Sequence, residues 1–587
     1  MTNLEIAKLL RKVAAALTVR GEMFFKIQAY EKTADTVEHA TSEVKDLWEA
    51  GKLDTVPGIG EHMQTYLDEL FRKGKVAHFE KLMRGLPSGM FEILDVPGIG
   101  PKTAHKIAKT LGIKTISDLK VAAVSGKLAE IGGLGSKTAQ EILAGIEEVS
   151  KREGRMLLPY AWNLANELVT QLKKSKDIIE AAPLGSLRRM VATIGDIDIA
   201  ASVKNASSAI DFFTKLPQVE RIAGYGEHKA TVVLKNGRQV DFMVTTPDRF
   251  GALLQHFTGS KMHNIHIRKI ANEKGLSLSE YGISKIHHKG DQFAADLLAK
   301  CATEVEFYKI LGMDYIPPEL REDTGEIEAA VSHRLPKLVE LEDLQGDLHV
   351  HSDFDIETSH DLGANSLAEL AEKSQKLNYD YIAITDHNPS VSGHAIADIE
   401  RLLARRLKLI EQINSSRGIK LLNSLEVDIM VDGKLSVPDE VLSKLDLVVA
   451  SVHSSFNQDI QTMTKRVLKA LENPNVDILA HPTGRLIGSR EGYEVFWEKV
   501  FAACKKKGCA LEINSWPERL DLPDVIAREA VSADVKLVIS TDSHAADHMD
   551  NMRFGVAVAR RGWAKKSDIL NTLSWVDFAK YFKIKSH

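Results

Sequence analysis

Thr193-Ile194-Gly195-Asp196-Ile197-Asp198-Ile199-Ala200 alternates acid and isoleucine over the length of a short strand. Side chains of a strand leave its two faces in turn, so Asp196 and Asp198 project from one face while Ile197 and Ile199 enter a core on the other. Two carboxylates so placed repel one another unless cations neutralise them, and hard oxygen ligands of this kind suit Mg²⁺ or Mn²⁺. A third acid, Asp241, stands in Arg238-Gln239-Val240-Asp241-Phe242-Met243-Val244, an apolar-rich run that reads as a second strand able to lie beside the first. Three acids can hold two metals about 4 Å apart, an arrangement that activates an attacking oxygen and stabilises a departing pyrophosphate. An isolated Asp-x-Asp is commonly just a solvated strand end. Here it follows Gly185-Ser186-Leu187-Arg188-Arg189, where a glycine admits close backbone approach, a hydroxyl can bind phosphate and an arginine can grip it bidentately. Phosphate and metal binders on one sequence element predict nucleotidyl transfer.

Length and composition set the frame around this element. With 587 residues, 44% hydrophobic and 27% charged, the chain has room for three or more ordinary globular domains. No apolar run approaches the roughly 20 residues of a membrane span, and the amino terminus reads as a polar-capped amphipathic helix. A cytoplasmic protein without membrane contact is expected. The three cysteines, Cys301, Cys504 and Cys509, form no CxxC pair and are too few for a disulfide framework, which agrees with a reducing compartment. The net charge of −5 neither announces nor excludes a nucleic-acid partner, because a basic surface can hide in a balanced total.

Residues 1 to about 150 read as almost entirely helical, starting with Leu4, Ala7, Leu10, Val13, Ala14 and Leu17 on one face. A short element then recurs: Val56-Pro57-Gly58-Ile59-Gly60, Val96-Pro97-Gly98-Ile99-Gly100 and, more weakly, Ile131-Gly132-Gly133-Leu134-Gly135. Gly-x-Gly between two helices makes a tight turn whose free amides point outward at the start of the second helix. Amides and helix dipole together form an anion site that a DNA phosphate can occupy without any base being read. A single copy is equally a plain helix connection with a glycine cap, and the recurrence favours the phosphate reading. These segments resemble helix-hairpin-helix motifs, which implies DNA binding at Gly58, Gly60, Gly98, Gly100, Gly133 and Gly135.

From 156 to 245 the pattern is mixed helix and strand and carries the three acids. It continues to 317 with His256-Phe257-Thr258-Gly259-Ser260 and a helix containing Asn264 and Arg268. Pro317-Pro318-Glu319 opens an acidic, poorly hydrophobic stretch, 318–342, that reads as an interdomain linker. Beyond it, β-rich runs such as Tyr381-Ile382-Ala383-Ile384 and Leu447-Val448-Val449-Ala450 alternate with amphipathic helices, which argues an α/β barrel-like domain.

In order and combination, residues 1–317 resemble a family X DNA polymerase. The resemblance implies a helical gap- or 5′-phosphate-binding domain over 1–80, a helix-hairpin-helix fingers-type domain over 81–155, an α+β palm over 156–245 and a thumb-type domain over 246–317. It implies that Asp196, Asp198 and Asp241 bind two Mg²⁺ or Mn²⁺ ions, with Asp241 nearest the primer 3′-hydroxyl. Ser186 and Arg189 would hold the incoming triphosphate, Phe257 and Gly259 would line the sugar pocket, and Asn264 and Arg268 would approach the nascent pair. Two positions depart from the pattern. His256 replaces a tyrosine common in relatives, which puts sugar selection in question. Lys26 matches a residue that binds the 5′-phosphate of a gap, yet Tyr66 stands where the eukaryotic repair enzyme carries its Schiff-base lysine. Without an amine there is no imine by that route, so gap binding without strong deoxyribose-phosphate lyase activity is expected.

Asp347-Leu348-His349-Val350-His351 repeats the strand logic with imidazoles, because His349 and His351 face the same way. Further candidates follow at successive strand ends: His387, Glu426, His453, His481, and Asp542 with His544. A lone histidine at such a place is usually just a satisfied polar residue. A ladder of them is different, because the carboxyl ends of barrel strands share one mouth. Mixed imidazole and carboxylate ligation suits Zn²⁺, Mn²⁺ or Fe²⁺. Residues 343–587 resemble a PHP (polymerase and histidinol phosphatase) domain, with further agreement at Gly484-Arg485-Leu486, Glu512-Ile513-Asn514 and Arg519-Leu520-Asp521-Leu522. That resemblance implies a cluster of up to three ions on nine ligands, and an active phosphoesterase. The ninth ligand falls in Ser352-Asp353-Phe354-Asp355-Ile356-Glu357-Thr358-Ser359-His360-Asp361-Leu362-Gly363, which departs from the usual spacing; Asp361 is favoured and Asp355 is the alternative.

The two halves together resemble bacterial family X polymerases with a carboxy-terminal PHP domain. The expected function is a monomeric repair polymerase that takes deoxynucleoside triphosphates, fills short gaps in gapped or primed duplex DNA, and trims 3′ ends with a 3′–5′ exonuclease, acting on nucleoid DNA. Two rivals remain, a small-molecule phosphatase and a DNA-end scaffold with vestigial sites.

Overall fold

The aspartate strand lies inside a five-stranded sheet of the computed structural model, which describes residues 3–38, 44–49, 59–94, 99–128, 155–286, 297–389 and 394–584 and isolated residues between 53 and 146. The sheet runs in the order Ile178–Pro183, Ile197–Val203, Gln239–Thr245, Lys229–Leu234, Val219–Tyr225. Ile197–Val203 is antiparallel to the first of these and parallel to Gln239–Thr245, so its neighbours fix its register on both sides. Ile197 and Ile199 are fully buried in one cluster with Leu168 of the Leu158–Leu172 helix and with Phe213 and Phe242. Each such isoleucine contributes about 1.5–3 kcal/mol on burial, which holds the strand to a face choice that turns Asp198 outward. The expected continuous strand is broken at Gly195–Asp196, because Thr193–Ile194 pairs separately with Met156–Leu157.

At the amino terminus, Ala7, Leu10, Val13, Ala14 and Leu17 of the Asn3–Arg20 helix are buried, as their helical spacing predicts; the side chain of Leu4 lies outside the described residues. Two recurring hairpins use one construction. Gly60 and Gly100 both stand in extended backbone as the residue before a helix, Glu61–Lys73 in one case and Pro101–Leu111 in the other. Both helices end at a left-handed glycine, Gly74 and Gly112, the conformation that lets the last turn stop without Cβ strain.

The Phe250–Thr258 and Lys261–Glu273 helices and a three-stranded antiparallel sheet follow the five-stranded sheet. The stretch 318–342, expected as a linker, is instead built into this unit. Leu320, Ile327 and Ala330 are buried in its core, and Arg321 and Glu326 are fully buried with them. The charges that make this stretch look solvated are paired. Arg321 meets Glu304 at 2.7 Å and the Ile316 carbonyl at 2.9 Å, and Glu326 meets His263 at 2.7 Å. Composition cannot distinguish a solvated acid from a buried, neutralised one.

The remaining chain forms a closed ring of parallel strands. Gly346–Val350, Tyr381–Ile384 and Lys420–Asn423 pair in one sheet, and Leu425–Asp428, Val448–Ser451, Ile478–Leu479, Ala510–Asn514 and Leu537–Ser540 in another. Parallel bridges His387 to Glu426 and Val350 to Ser543 stitch the two into a barrel. Helices such as Ile396–Arg417 and Ile460–Glu472 cover the outside. Because the strands are parallel, all their carboxyl ends open at one mouth. The three cysteines are buried and unbridged, and no helix among the described residues is long and apolar enough to cross a membrane.

Candidate active sites

In the palm, strand register does the positioning. Asp198 and Asp241 are direct partners across the parallel pair, and Thr231 is the antiparallel partner of Asp241 on its other side. The Thr231 hydroxyl donates to Asp241 at 2.8 Å, and the Lys229 ammonium lies 2.9 Å from its other oxygen. Burial pushes the Asp198 carboxyl up to about 7, reinforced by the charge of Asp241, and Asp196 is raised for the same two reasons. Carboxylates that disfavour their own charge beside one another are what a hard divalent cation relieves, so this donor set fits Mg²⁺ or Mn²⁺. Gly185 is required here: its φ is +58°, and a Cβ there would stand 3.2 Å from an Asp198 oxygen.

Several expected nucleotide contacts are otherwise engaged. Ser186 sits in the single helical turn Gly185–Arg188. Arg189 donates to the Thr258 carbonyl at 2.6 Å and pairs with Glu322 at 3.0 Å, and Glu322 also receives Arg561 from the barrel at 2.9 Å. Asn264 is buried, giving its amide to the His256 carbonyl at 2.7 Å and accepting from Gln255 at 2.9 Å. Phe257 packs edge-on against His256, with ring centres 4.8 Å apart. Burial and the charge of Arg268 hold the His256 imidazole down to about 3, hence neutral. Gly259 has φ +68°, and its Cβ position lies 3.3 Å from the Arg189 guanidinium.

In the amino-terminal part, Lys26 lies 3.4 Å from Glu22, beside the exposed Met23, Phe24 and Phe25. Tyr66 stacks on His78 with ring centres 5.0 Å apart. Gly60 and Gly100 lead their helices as expected, while Gly58, Gly98, Gly133 and Gly135 lie outside the described residues.

At the barrel mouth one carboxylate is the hub. Glu426 is buried and lies within 3.6 Å of five imidazoles: His481 at 2.9 Å, His387 at 3.0 Å, His453 at 3.1 Å, His349 at 3.2 Å and His351 at 3.6 Å. Asp542 approaches His351 at 3.3 Å and His349 at 3.6 Å. Asp361 reaches His544 at 3.3 Å and His387 at 3.5 Å, whereas Asp355 accepts the Glu357 amide at 2.6 Å within its own loop. Burial alone would lower His349, yet Glu512, Glu426 and Asp542 raise it well above the ordinary histidine value; burial lowers His351 to about 3. Buried ring nitrogens of His349, His351, His387, His481 and His544 make no well-directed hydrogen bond, although those of His349, His351, His387 and His544 lie within 3.3 Å of carboxylate oxygens. A buried donor or acceptor left unsatisfied costs about 1–3 kcal/mol, and a cluster of them on imidazoles beside carboxylates fits transition-metal cations. His481 and Asp542 also hold left-handed backbone, φ +28° and +54°, of the kind that collects at functional sites.

Residues not singled out as ligands complete the picture. Glu512 holds Nδ1 of His349 at 2.8 Å and Asp428 holds Nδ1 of His453 at 2.7 Å, each leaving the other ring nitrogen facing the hub. Asp428 is legible in outline, since Glu426-x-Asp428 places two acids on one strand face, and Glu512 stands in the Glu512-Ile513-Asn514 stretch that carries part of the resemblance. Arg519 stands 3.4 Å from Asp542. Lys229 and Thr231 in the palm carry no signal of their own in the sequence.

Residues 1–76 match a helix-hairpin-helix domain, 91–148 a SAM-like helix-hairpin-helix tandem, 253–322 the DNA polymerase beta thumb and 347–516 the PHP domain. DNA polymerase/3'-5' exonuclease PolX of Bacillus subtilis (strain 168) is 35% identical over 586 residues, spanning 99% of this chain and 100% of that protein. DNA polymerase lambda of Rattus norvegicus is 24% identical over 342 residues, 54% of this chain and 56% of its own. A probable phosphatase of Thermoanaerobacter sp. (strain X514) is 29% identical over 236 residues, 38% of this chain and 89% of its own.

Proposed function

The chain belongs to the bacterial family X DNA polymerases that carry a carboxy-terminal PHP domain, and on that premise we propose that it fills short gaps in DNA at the palm and removes 3′-terminal nucleotides at the barrel mouth. The observation that carries the reading is that one chain holds two separate acid centres on two separate sheets, Asp198 beside Asp241 in one and Glu426 among five imidazoles in the other. Asp196, Asp198 and Asp241 would hold Mg²⁺ or Mn²⁺. His349, His351, Asp361, His387, Glu426, His453, His481, Asp542 and His544 would hold a cluster of up to three Mn²⁺, Zn²⁺ or Fe²⁺ ions. Divalent cations in such sites supply Lewis-acid stabilisation of the charge that develops on phosphoryl oxygens.

The chain's own groups do the rest. Asp241 faces the primer 3′-hydroxyl and takes its proton. Ser186 and Arg189 orient the triphosphate, Arg189 exchanging Glu322 for phosphate as it does so. Phe257 and Gly259 bound the sugar, and Asn264, fixed by Gln255 and His256, braces the Phe250–Thr258 helix on the minor-groove side next to Arg268. At the barrel, Glu512 and Asp428 fix the tautomers of His349 and His453, and Arg519 offsets negative charge beside Asp542. The hairpin glycines and Lys26 position duplex phosphates without reading bases. The domains follow the boundaries given above, except that 318–342 belongs with the thumb. The protein works as a monomer on nucleoid DNA in the cytoplasm.

The test is a one-nucleotide-gapped duplex with a 5′-labelled primer, incubated with Mn²⁺ with and without deoxynucleoside triphosphates. Extension by one nucleotide with them and shortening without them are expected. A chain that releases phosphate from small phosphoesters but neither extends nor shortens the primer would make it a phosphatase instead.

A further inference from the structure

We propose that His360 is an additional cation ligand of the barrel mouth, acting with His387 and His453. The proposal rests on the metal reading of the barrel given above and adds to its donor set a residue outside the nine. His360 lies in the 352–363 loop, whose spacing is irregular. One ring nitrogen each of His360, His387 and His453 lies within 4.8 Å of the others, and the His360 ring centre is 4.8 Å from that of His387 and 4.7 Å from that of His453. The trio shares His387 with the His351–His387–His544 group and His453 with the Glu426–His453–His481 group, and adds His360, whose side chain is 38% exposed.

The loop holds the imidazole in place by several fastenings. The Gly363 amide donates to the Ser352 carbonyl at 2.9 Å, and a Cβ at Gly363 would stand 2.2 Å from the His351 carbonyl oxygen, so only glycine lets the loop close there. The Ser359 amide donates to the Asn388 carbonyl at 2.8 Å, and Thr358 bridges Pro389. His360 and Asp361 are thus carried between two pinned points, against the strand end that bears His387. Asp428 joins the groups from beneath, 3.3 Å from Nε2 of His360 and 2.7 Å from Nδ1 of His453. A carboxylate gripping two imidazoles is how proteins orient histidine ligands. An extra imidazole would replace a water among the ligands of a cation held by this trio, so that ion would bind more tightly and exchange more slowly.

The test is Mn²⁺ binding to the full chain carrying Asp198→Ala, which weakens the palm's share, followed by the electron paramagnetic resonance of unbound Mn²⁺. His360→Gln preserves an amide donor toward Asp428 but ligates poorly, and His360→Asp supplies a different ligand. One binding step is expected to weaken about tenfold or more in His360→Gln, with the other steps unchanged and partial recovery in His360→Asp. Binding by His360→Gln equal to that of the parent would overturn the proposal, since the hydrogen bond to Asp428 would then suffice. A parent chain that binds no Mn²⁺ at the barrel would overturn the metal reading itself, and this inference with it.

Discussion

At the residue scale the palm is tuned by charges that the strand pattern does not announce. Lys229 sits 2.9 Å from Asp241, where it would compete with a cation for that carboxylate. Lys229→Met is therefore expected to lower, by severalfold, the Mg²⁺ concentration that gives half-maximal primer extension; an unchanged or raised requirement would show that Lys229 supports the site instead. Asp196 lies just before the Ile197–Val203 strand, whereas Asp198 and Asp241 are legible in the sequence because the period of a strand places them. Lys229 and Thr231 are not, because they reach Asp241 only through the pairing of Lys229–Leu234 with Gln239–Thr245. Asn264 shows the opposite limit. The sequence marks it as polar and near the active site, but its bonds to Gln255 and His256 are tertiary facts.

At the element scale, the barrel strands are held by buried charges with predictable consequences. Arg406, fully buried on the Ile396–Arg417 helix, pairs with Asp386 at 2.7 Å and donates to Asn423 at 2.8 Å, and Asp386 in turn holds Ser352 just after His351. Arg406→Met leaves Asp386 buried without its partner and is expected to destabilise the barrel by about 3–5 kcal/mol in urea unfolding. Asp477, before the Ile478–Leu479 strand, accepts the Val448 amide at 2.9 Å, and burial raises it to about 7 despite that bond and Lys507 nearby. A carboxyl raised in the folded state gives stability that is full below about pH 4 and is lost as pH rises toward 7. Asp477→Asn should thus melt several degrees higher than the parent at pH 7.5, with the gap closing toward pH 4.5; a constant gap would contradict the assignment. The barrel itself could be read from alternating β-rich runs and amphipathic helices. The packed 318–342 stretch could not, because its acids are matched by distant basic partners, His263 for Glu326 and Arg189 and Arg561 for Glu322.

At the scale of the whole molecule, two chemistries share one chain and touch through a short charge relay. Arg561 of the barrel donates to the Arg189 carbonyl at 2.9 Å and pairs with Glu322, which holds the Arg189 guanidinium. Glu322→Gln should free Arg189 for triphosphate, lowering the KM for nucleotide by about two- to tenfold with kcat little changed. In the proposed function the two centres act as separate sites, and distinct sheets carry them. The most direct test of that claim is a reciprocal pair of variants on a labelled, gapped duplex with Mn²⁺, each verified as folded by circular dichroism. Asp198→Asn is expected to reduce extension at least a thousandfold while end-shortening persists, and Glu426→Gln to abolish shortening while extension persists. Loss of both activities in each folded variant would contradict the two-site account.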